Sequence, residues 1–323
     1  MGHTQDMTVL ESGKIAIVGA GSVGSSMAYA CLIRGSARTI ALYDVNEPKV
    51  VAEVLDLAHG AAFTGASEIQ GGSDPAVLEG AHVVVVTAGA KQEAGQSRLD
   101  LAATNVALLE QLMPTMLERA PDAVFVLVTN PCDVLTVAAQ ELSGLPAGRV
   151  LSSGTTLDSS RLRLLLARRA GVSPGSVHAH IIGEHGDSEF APWSQARIGP
   201  VPIREWRSTS SARFTEEELA SITQEVRTAA YRVIAGKGAT NYAIGLAGAR
   251  LIEAILRDEH LIAPVSTVHD GYHGFSGVAF SMPSVISSRG VEQVIDMQLE
   301  PDEERQLAAS VEALLATQAR LGL

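Results

Sequence analysis

Apolar positions along this chain fall into two kinds of run. Short, near-continuous apolar stretches end at glycine, asparagine or proline. Between them lie longer stretches with apolar residues every three or four positions. "KIAIVG" (14–19), "TIALYD" (39–44), "AHVVVVTAGA" (81–90) and "AVFVLVTNP" (123–131) are of the first kind and predict strands buried on both faces; "VLSSGTT" (150–156) closes the first half. "SVGSSMAYACLIRG" (22–35) has helical spacing and stops at Gly35, a residue suited to ending a helix. Pro48 opens a second helix through "VVAEVLDLAHG". A third is expected from about Ser97 to Ala120, kinked or divided at Pro114.

Strands alternating with helices predict an α/β fold, a doubly wound parallel sheet covered on both faces. From about Leu157 the texture changes. Long helices flank what read as shorter strands near "VHAHII" (177–182), "LIAPVSTVHDGYHG" (261–274) and "GVAFSMPSVISSRG" (277–290), and a charged amphipathic helix opens at Pro301. This predicts two units, residues 1–156 and an α+β unit over 157–323. No linker stands between them, so they are expected to pack tightly.

Composition narrows the class. Of 323 residues, 46% are hydrophobic and 19% charged, enough for a sizeable core. The net charge of −12 argues against nucleic-acid or anionic-membrane partners, which need a basic surface. Cys31 and Cys132 sit in apolar surroundings and read as buried thiols. No apolar run reaches the ~18 residues of a membrane helix, and the start "MGHTQDMTVLESGK" lacks the pattern of a signal peptide. The expectation is a soluble, cytoplasmic protein.

"GAGSVG" places Gly19, Gly21 and Gly24 after a strand and at the start of a helix, with Asp44 20 residues beyond Gly24 at the end of the next strand. The glycines suit a tight turn, close backbone approach to a pyrophosphate and close helix packing. A carboxylate at Asp44 suits ribose hydroxyls and repels a 2′-phosphate, which favours NAD over NADP. Three polar segments follow. "AGAKQEAGQSRLD" (88–100) carries Gln92 and Arg98, and "TNPCD" (129–133) carries Asn130. "TTLDSSRLR" (155–163) puts Asp158 and Arg161 three apart on one helix face. "HAHIIGEHGDSEF" (178–190) holds three of the nine histidines. In a strand, His178 and His180 would share a face, as two zinc ligands do, with His185 as a third. "GEHGD" is not an HExxH helix, however, and the expectation is no metal. A histidine among acids instead suits proton transfer.

"GAGSVG", "AGAKQEAGQSRLD", "TNPCDVLT", "SSGTTLDSSRLR", "IIGEHGDSEF" and "KGATNYAIG", in that order, resemble the L-lactate/L-malate dehydrogenase family from about Lys14 onward. The resemblance implies a Rossmann domain over residues 1–156 and a catalytic domain over 157–323. It implies NAD held by Gly19, Gly21, Val23, Gly24, Asp44, Lys49, Gly89, Ala90, Asn105, Val128, Asn130, Ser153 and Ile244. It makes His185 the acid/base, Asp158 its carboxylate partner and Arg161 the fork for a substrate carboxylate. Arg98 becomes a loop arginine closing over bound substrate, with Gln92, Asn130 and Thr240 lining the pocket. The Asn130–Pro131 bond is a candidate for cis geometry. Arg163 and His178 match positions that bind fructose 1,6-bisphosphate in bacterial members, across the interface of a homotetramer.

Family members acting on malate carry arginine where this chain has Gln92. A neutral glutamine would leave a second substrate carboxylate unpaired and leaves room for a methyl group. Pyruvate/L-lactate is therefore favoured over malate or another L-2-hydroxy acid, although Lys91 adds a charge beside Gln92. A non-catalytic NAD sensor would keep "GAGSVG" and Asp44 but would not need His185, Asp158, Arg161 and Arg98 together. Gln92→Arg is expected to raise kcat/KM for oxaloacetate relative to pyruvate, and an unchanged ratio would remove Gln92 from substrate selection.

Overall fold

The computed structural model describes residues 13–65, 67–90, 98–207 and 213–323, Arg98 by its main chain alone. The first half builds six parallel strands: β1 (Lys14–Val18), β2 (Thr39–Tyr43), β3 (Glu68–Gly72), β4 (Val83–Val86), β5 (Val124–Leu127) and β6 (Val150–Ser152). Helices α1 (Ser22–Arg34), α2 (Glu47–His59), α3 (Arg98–Arg119) and α4 (Cys132–Ser143) lie between them. The order β3-β2-β1-β4-β5-β6 is that of a doubly wound sheet. Alternate strand residues enter two cores. Ile15, Ile17, Ile40, Leu42, Val83 and Val85 meet Met27 and Cys31 of α1 on one face. Ala16, Val18, Ala41, Val84 and Val86 meet Met113 and Met116 of α3 on the other. That explains the continuous apolar runs, because no strand face is left to water. Cys31 and Cys132 are both buried free thiols.

The second half contains α5 (Thr156–Ala170), a small sheet of β7 (Val177–His178), β8 (Arg197–Ile198) and β9 (Val201–Pro202), then α6 (Glu216–Lys237) and α7 (Tyr242–Leu256). Strands β10 (Leu261–His269), β11 (Val278–Ser287) and β12 (Gly290–Val294) precede α8 (Pro301–Leu321). These three strands are antiparallel and extend the first sheet, β10 meeting β6 at Ser266 and Ser152. One nine-stranded sheet therefore crosses the boundary between the halves. Helix α7 packs on α1 so closely that a Cβ on Gly248 would lie 2.3 Å from Met27 Cε.

Four expectations need correction. Helix α3 is not divided at Pro114 but runs on through it. Pro114 is exposed, as is Glu110 one turn earlier, so the carbonyl that loses its partner faces water. Strand β3, with two glycines and little apolar character, was not anticipated; it pairs along the whole of β2 at the sheet edge. Strands β10 and β11 are nine and ten residues long, the longest in the chain among the described residues, not the shorter strands expected. Strand β7 ends at His178, so His180 lies beyond it. Beyond that point the main chain of Ile181 bonds to side chains of α5 instead of a neighbouring strand. Its N–H reaches Ser159 Oγ at 2.8 Å, and its carbonyl accepts from Thr155 Oγ1 at 2.6 Å.

An ion pair between exposed Arg34 and buried Glu253 fastens α7 to α1. Glu253, 2% exposed, accepts from Arg34 Nε and Nη2 at 2.7 and 2.6 Å and from Ser36 Oγ at 2.8 Å. Glu253→Ala leaves the buried Ser36 hydroxyl without its acceptor, while Arg34 can turn to solvent. A loss of about 2 kcal/mol is expected in urea unfolding; a change below about 0.5 kcal/mol would show that packing alone joins the helices.

Candidate active site

The ends of β1, β4, β5 and β6 deliver their loops to one edge of the sheet. At the end of β1, Gly19 has φ +104°, and a Cβ there would lie 2.6 Å from Ala88 N. A Cβ on Gly24 would lie 1.9 Å from Gly19 O, so helix α1 can start only this close to the strand with glycine at both positions. Gly21, between them, faces open space within 4 Å. The turn is thus tight on its inner side and open where a phosphate would approach the first amides of α1. Asp44 Oδ2 accepts from Ala20 N at 2.8 Å and Oδ1 from Asn46 N at 2.9 Å. The carboxylate braces the glycine turn, and its remaining lone pairs are free for ribose hydroxyls. Val23 is half-buried against the core, and Lys49 is exposed on α2.

Asn105 of α3 ties the next two loops together. It is 2% exposed; its Oδ1 accepts from Ala90 N and its Nδ2 donates to Asn130 O, both at 2.8 Å. Gly89 and Ala90 are exposed beside it. Val128 continues β5 by donating to Val86 O, and Ser153 does the same to Leu127 O, both at 2.9 Å. The Asn130–Pro131 bond is cis, as the sequence invited, and Pro131 caps α4. The first turn of α4 carries Asp133, whose Oδ2 accepts from the main-chain N–H of His185 at 2.7 Å. Burial pushes the Asp133 carboxyl up to about 6.

The chemistry gathers on the first turn of α5. Asp158 is 2% exposed. Its Oδ2 meets His185 Nδ1 at 2.7 Å and its Oδ1 accepts from Arg161 Nη1 at 2.5 Å. Nδ1–H therefore points at the carboxylate and Nε2 is left for a substrate. Burial opposes charge on His185, but the charge and hydrogen bond of Asp158 outweigh it and raise the imidazolium to about 10. Burial also opposes the charge on Asp158, and His185 and Arg161 together hold it below the usual carboxylate range. Arg161 opens onto a cleft of about 410 Å³ between α5 and α6. The loop of His185 is held from behind by α8, where Ser310 Oγ accepts from Glu184 N at 2.8 Å.

Thr240 is half-buried in the link between α6 and α7, and Ile244 is half-buried on the first turn of α7. Asn241 Nδ2 anchors that link to Ser26 Oγ of α1 at 2.8 Å, beside the glycine turn. Gln92 and the Arg98 side chain lie outside the described residues. Arg163 does not partner His178. Its Nε donates to Ala179 O at 2.9 Å and its Nη2 lies 3.2 Å from His180 Nδ1. Burial, then the charges of Arg163 and His178, press His180 down to about 4, so it meets Arg163 as a neutral ring. His178 is exposed beside them. The zinc alternative does not assemble. Among the described residues, the one group of three close ligand-type side chains is Asp158, His185 and Glu189, within 4.8 Å, and it lacks His178 and His180.

Two acids of this site went unassigned in the sequence. Asp133 follows an X-Pro bond at a helix start, where an acid often faces backbone amides. Glu189 stands one residue before the buried Phe190 in an apolar run, and a carboxylate there signals a buried charge.

Residues 13–152 match the family model for the lactate/malate dehydrogenase NAD binding domain, and residues 155–320 that for the lactate/malate dehydrogenase alpha/beta C-terminal domain. The chain belongs to the lactate/malate dehydrogenase family. It is 47% identical over 310 residues to an L-lactate dehydrogenase of Bifidobacterium animalis subsp. lactis, covering 96% of this chain and 97% of that one. It is 43% identical over 305 residues to an L-lactate dehydrogenase of Kosmotoga olearia, covering 94% of each chain. In fold it resembles the minor L-lactate dehydrogenase of Enterococcus mundtii, with a TM-score of 0.92 at 38% identity, over 96% of this chain and 98% of the other. As a member of this family it is an NAD-dependent oxidoreductase. The open, positive-φ glycine turn braced by Asp44 fits the dinucleotide.

Proposed function

We propose that this chain is an L-lactate dehydrogenase that reduces pyruvate to L-lactate reversibly, with residues 1–156 holding NAD and residues 157–323 the substrate. One observation carries the reading: a single buried carboxylate, Asp158, bonds both His185 and Arg161. A proton donor and a carboxylate fork are thereby set at a fixed spacing.

The glycine turn of Gly19, Gly21 and Gly24 receives the pyrophosphate on the amides of α1, with Val23 beside it, and Asp44 takes the ribose hydroxyls. Lys49, Gly89, Ala90, Val128, Asn130 and Ser153 line the rest of the cofactor path, Asn105 fixes two of its loops, and Ile244 offers an apolar surface. Bound NADH supplies the hydride that reaches C2 of the keto acid. Arg161 grips the substrate carboxylate through the guanidinium nitrogens that Asp158 leaves free, a geometry lysine does not reproduce. His185, held protonated by Asp158, donates from Nε2 to the keto oxygen as C2 is reduced. In the reverse direction the neutral ring takes the hydroxyl proton. Asn130 and Thr240 are the residues assigned to contact the substrate. Arg98 heads α3, a few residues after Gln92 in sequence, and its closure over bound substrate would exclude water from the site.

Pyruvate is favoured over oxaloacetate because Gln92 offers no charge to a second carboxylate. The protein works as a cytoplasmic enzyme; no helix among the described residues is long and apolar enough to cross a membrane. The exposed His178 beside Arg163 supports fructose 1,6-bisphosphate as an effector between facing subunits of a homotetramer.

The test is NADH oxidation by the purified protein with pyruvate, oxaloacetate and longer 2-oxo acids. Pyruvate is expected to give the highest kcat/KM, by at least about tenfold over oxaloacetate. Preference for oxaloacetate would assign the chain to malate instead. In the same assay the sugar bisphosphate is expected to lower half-saturation by pyruvate, and no response between about pH 6 and 8 would remove the effector role.

A further inference from the structure

Glu189 is the acid of the site that the reaction does not use. It is 2% exposed. Its carbonyl oxygen accepts from Arg227 Nε at 2.7 Å and also from Nη2, so that guanidinium bonds the main chain and not the carboxyl group. A Glu189 oxygen lies within 4.8 Å of ligand-type atoms of both Asp158 and His185. His185 favours the anion by charge alone, while burial and the charge of Asp158 oppose it more strongly. Asp158 is itself negative, and the Nδ1–H of His185 is already given to Asp158. A buried carboxylate beside another carboxylate is costly to ionise.

We propose that Glu189 carries a proton in the working enzyme and so fixes the charge of the substrate that the site accepts. With Glu189 neutral, the inner groups are Arg161 and protonated His185 against the single carboxylate of Asp158. They hold one positive charge in excess, which a 2-oxo monoanion cancels. With Glu189 ionised, the excess disappears and the substrate carboxylate enters a site already neutral. Further out, Arg227 from α6 and Asp133 from α4 contribute one charge of each sign, and Glu184 and Asp187 belong to the His185 loop itself. Burial, reinforced by the charge of Asp158, raises the Glu189 carboxyl to about 9, in keeping with a proton held through neutrality. Sign follows directly: the proton is present below that range and lost as pH rises through it, so affinity for the anion falls on the alkaline side. This loss adds to the one caused by deprotonation of His185, and the two differ in what removes them.

The proposal rests on the dehydrogenase reading, and two measurements separate them. The first is KM for pyruvate against pH in the wild type and in Glu189→Gln, a neutral residue of the same shape. Above the ranges of both groups, beyond about 10, the wild-type KM is expected to steepen toward about a hundredfold per pH unit, where two protons are required for binding, and the variant toward about tenfold. The second is the proton uptake when oxamate, a 2-oxo acid analogue, binds the wild-type enzyme–NADH complex, read by calorimetry in buffers of different ionisation enthalpy. Uptake at the alkaline end is expected to exceed one proton per site, and not to exceed one in the variant. Identical pH profiles and uptake in the two proteins would overturn the proposal while leaving the dehydrogenase intact. If the variant does not fold, the wild-type uptake decides alone, and one proton or fewer overturns the role of Glu189. Absence of NADH oxidation with pyruvate by the wild type at neutral pH overturns the dehydrogenase reading, and this proposal with it.

Discussion

The double bond of Asp158, one oxygen to His185 and the other to Arg161, is the constraint on which the site depends. A buried carboxylate is unfavourable unless it is paired and hydrogen-bonded. Here the pairing partners are the two groups proposed as proton donor and substrate fork. The cost of burying Asp158 is offset by the two groups whose positions it fixes. Removing either partner would leave a buried charge short of a bond, so the three side chains hold one another in a single geometry.

The fold supplies the rest of that geometry from several directions. Helix α5 presents Asp158 on its first turn, at the point where β6 hands the chain over. Helix α4 holds the main chain of His185 through Asp133, and α8 holds the preceding residue through Ser310. Because β10–β12 extend the parallel sheet without a break, the chain just before His185, bridged to β11 at Gly183 and Ser281, hangs on the same sheet as the glycine turn. The Arg34–Glu253 pair closes the opposite side, α7 against α1, where the link carrying Thr240 is tied down.

Much of this was legible in the chain. Strands buried on both faces announce themselves by unbroken apolar runs, and the glycine turn with Asp44 is a local pattern, so β1, β2, β4 and β5 and that turn could be read directly. Asp158 and Arg161 share a helix face and needed only helical spacing. Less legible were features that depend on distant partners. Strand β3 has almost no apolar signal, because edge pairing with β2 is what makes it a strand. The end of β7 at His178 is decided by Ser159 and Thr155, far from it in sequence, which take over the backbone bonds of Ile181. Local pattern likewise gave no warning that Arg163 would choose His180 over His178, or that Asp133 and Glu189 would close around His185.

Electrostatics then decides what the geometry can do. The ring of His185 is charged because Asp158 outweighs its burial, and Arg161 is available because Asp158 takes only part of its fork. If one carboxylate truly organises both groups, their contributions cannot be independent. A double-mutant cycle with Asp158→Asn, Arg161→Lys and the pair, read as kcat/KM for pyruvate, tests this most directly. The account predicts that the double variant loses less than the product of the two single losses, by at least about tenfold, or about 1.4 kcal/mol of coupling. Single losses that simply multiply would contradict it.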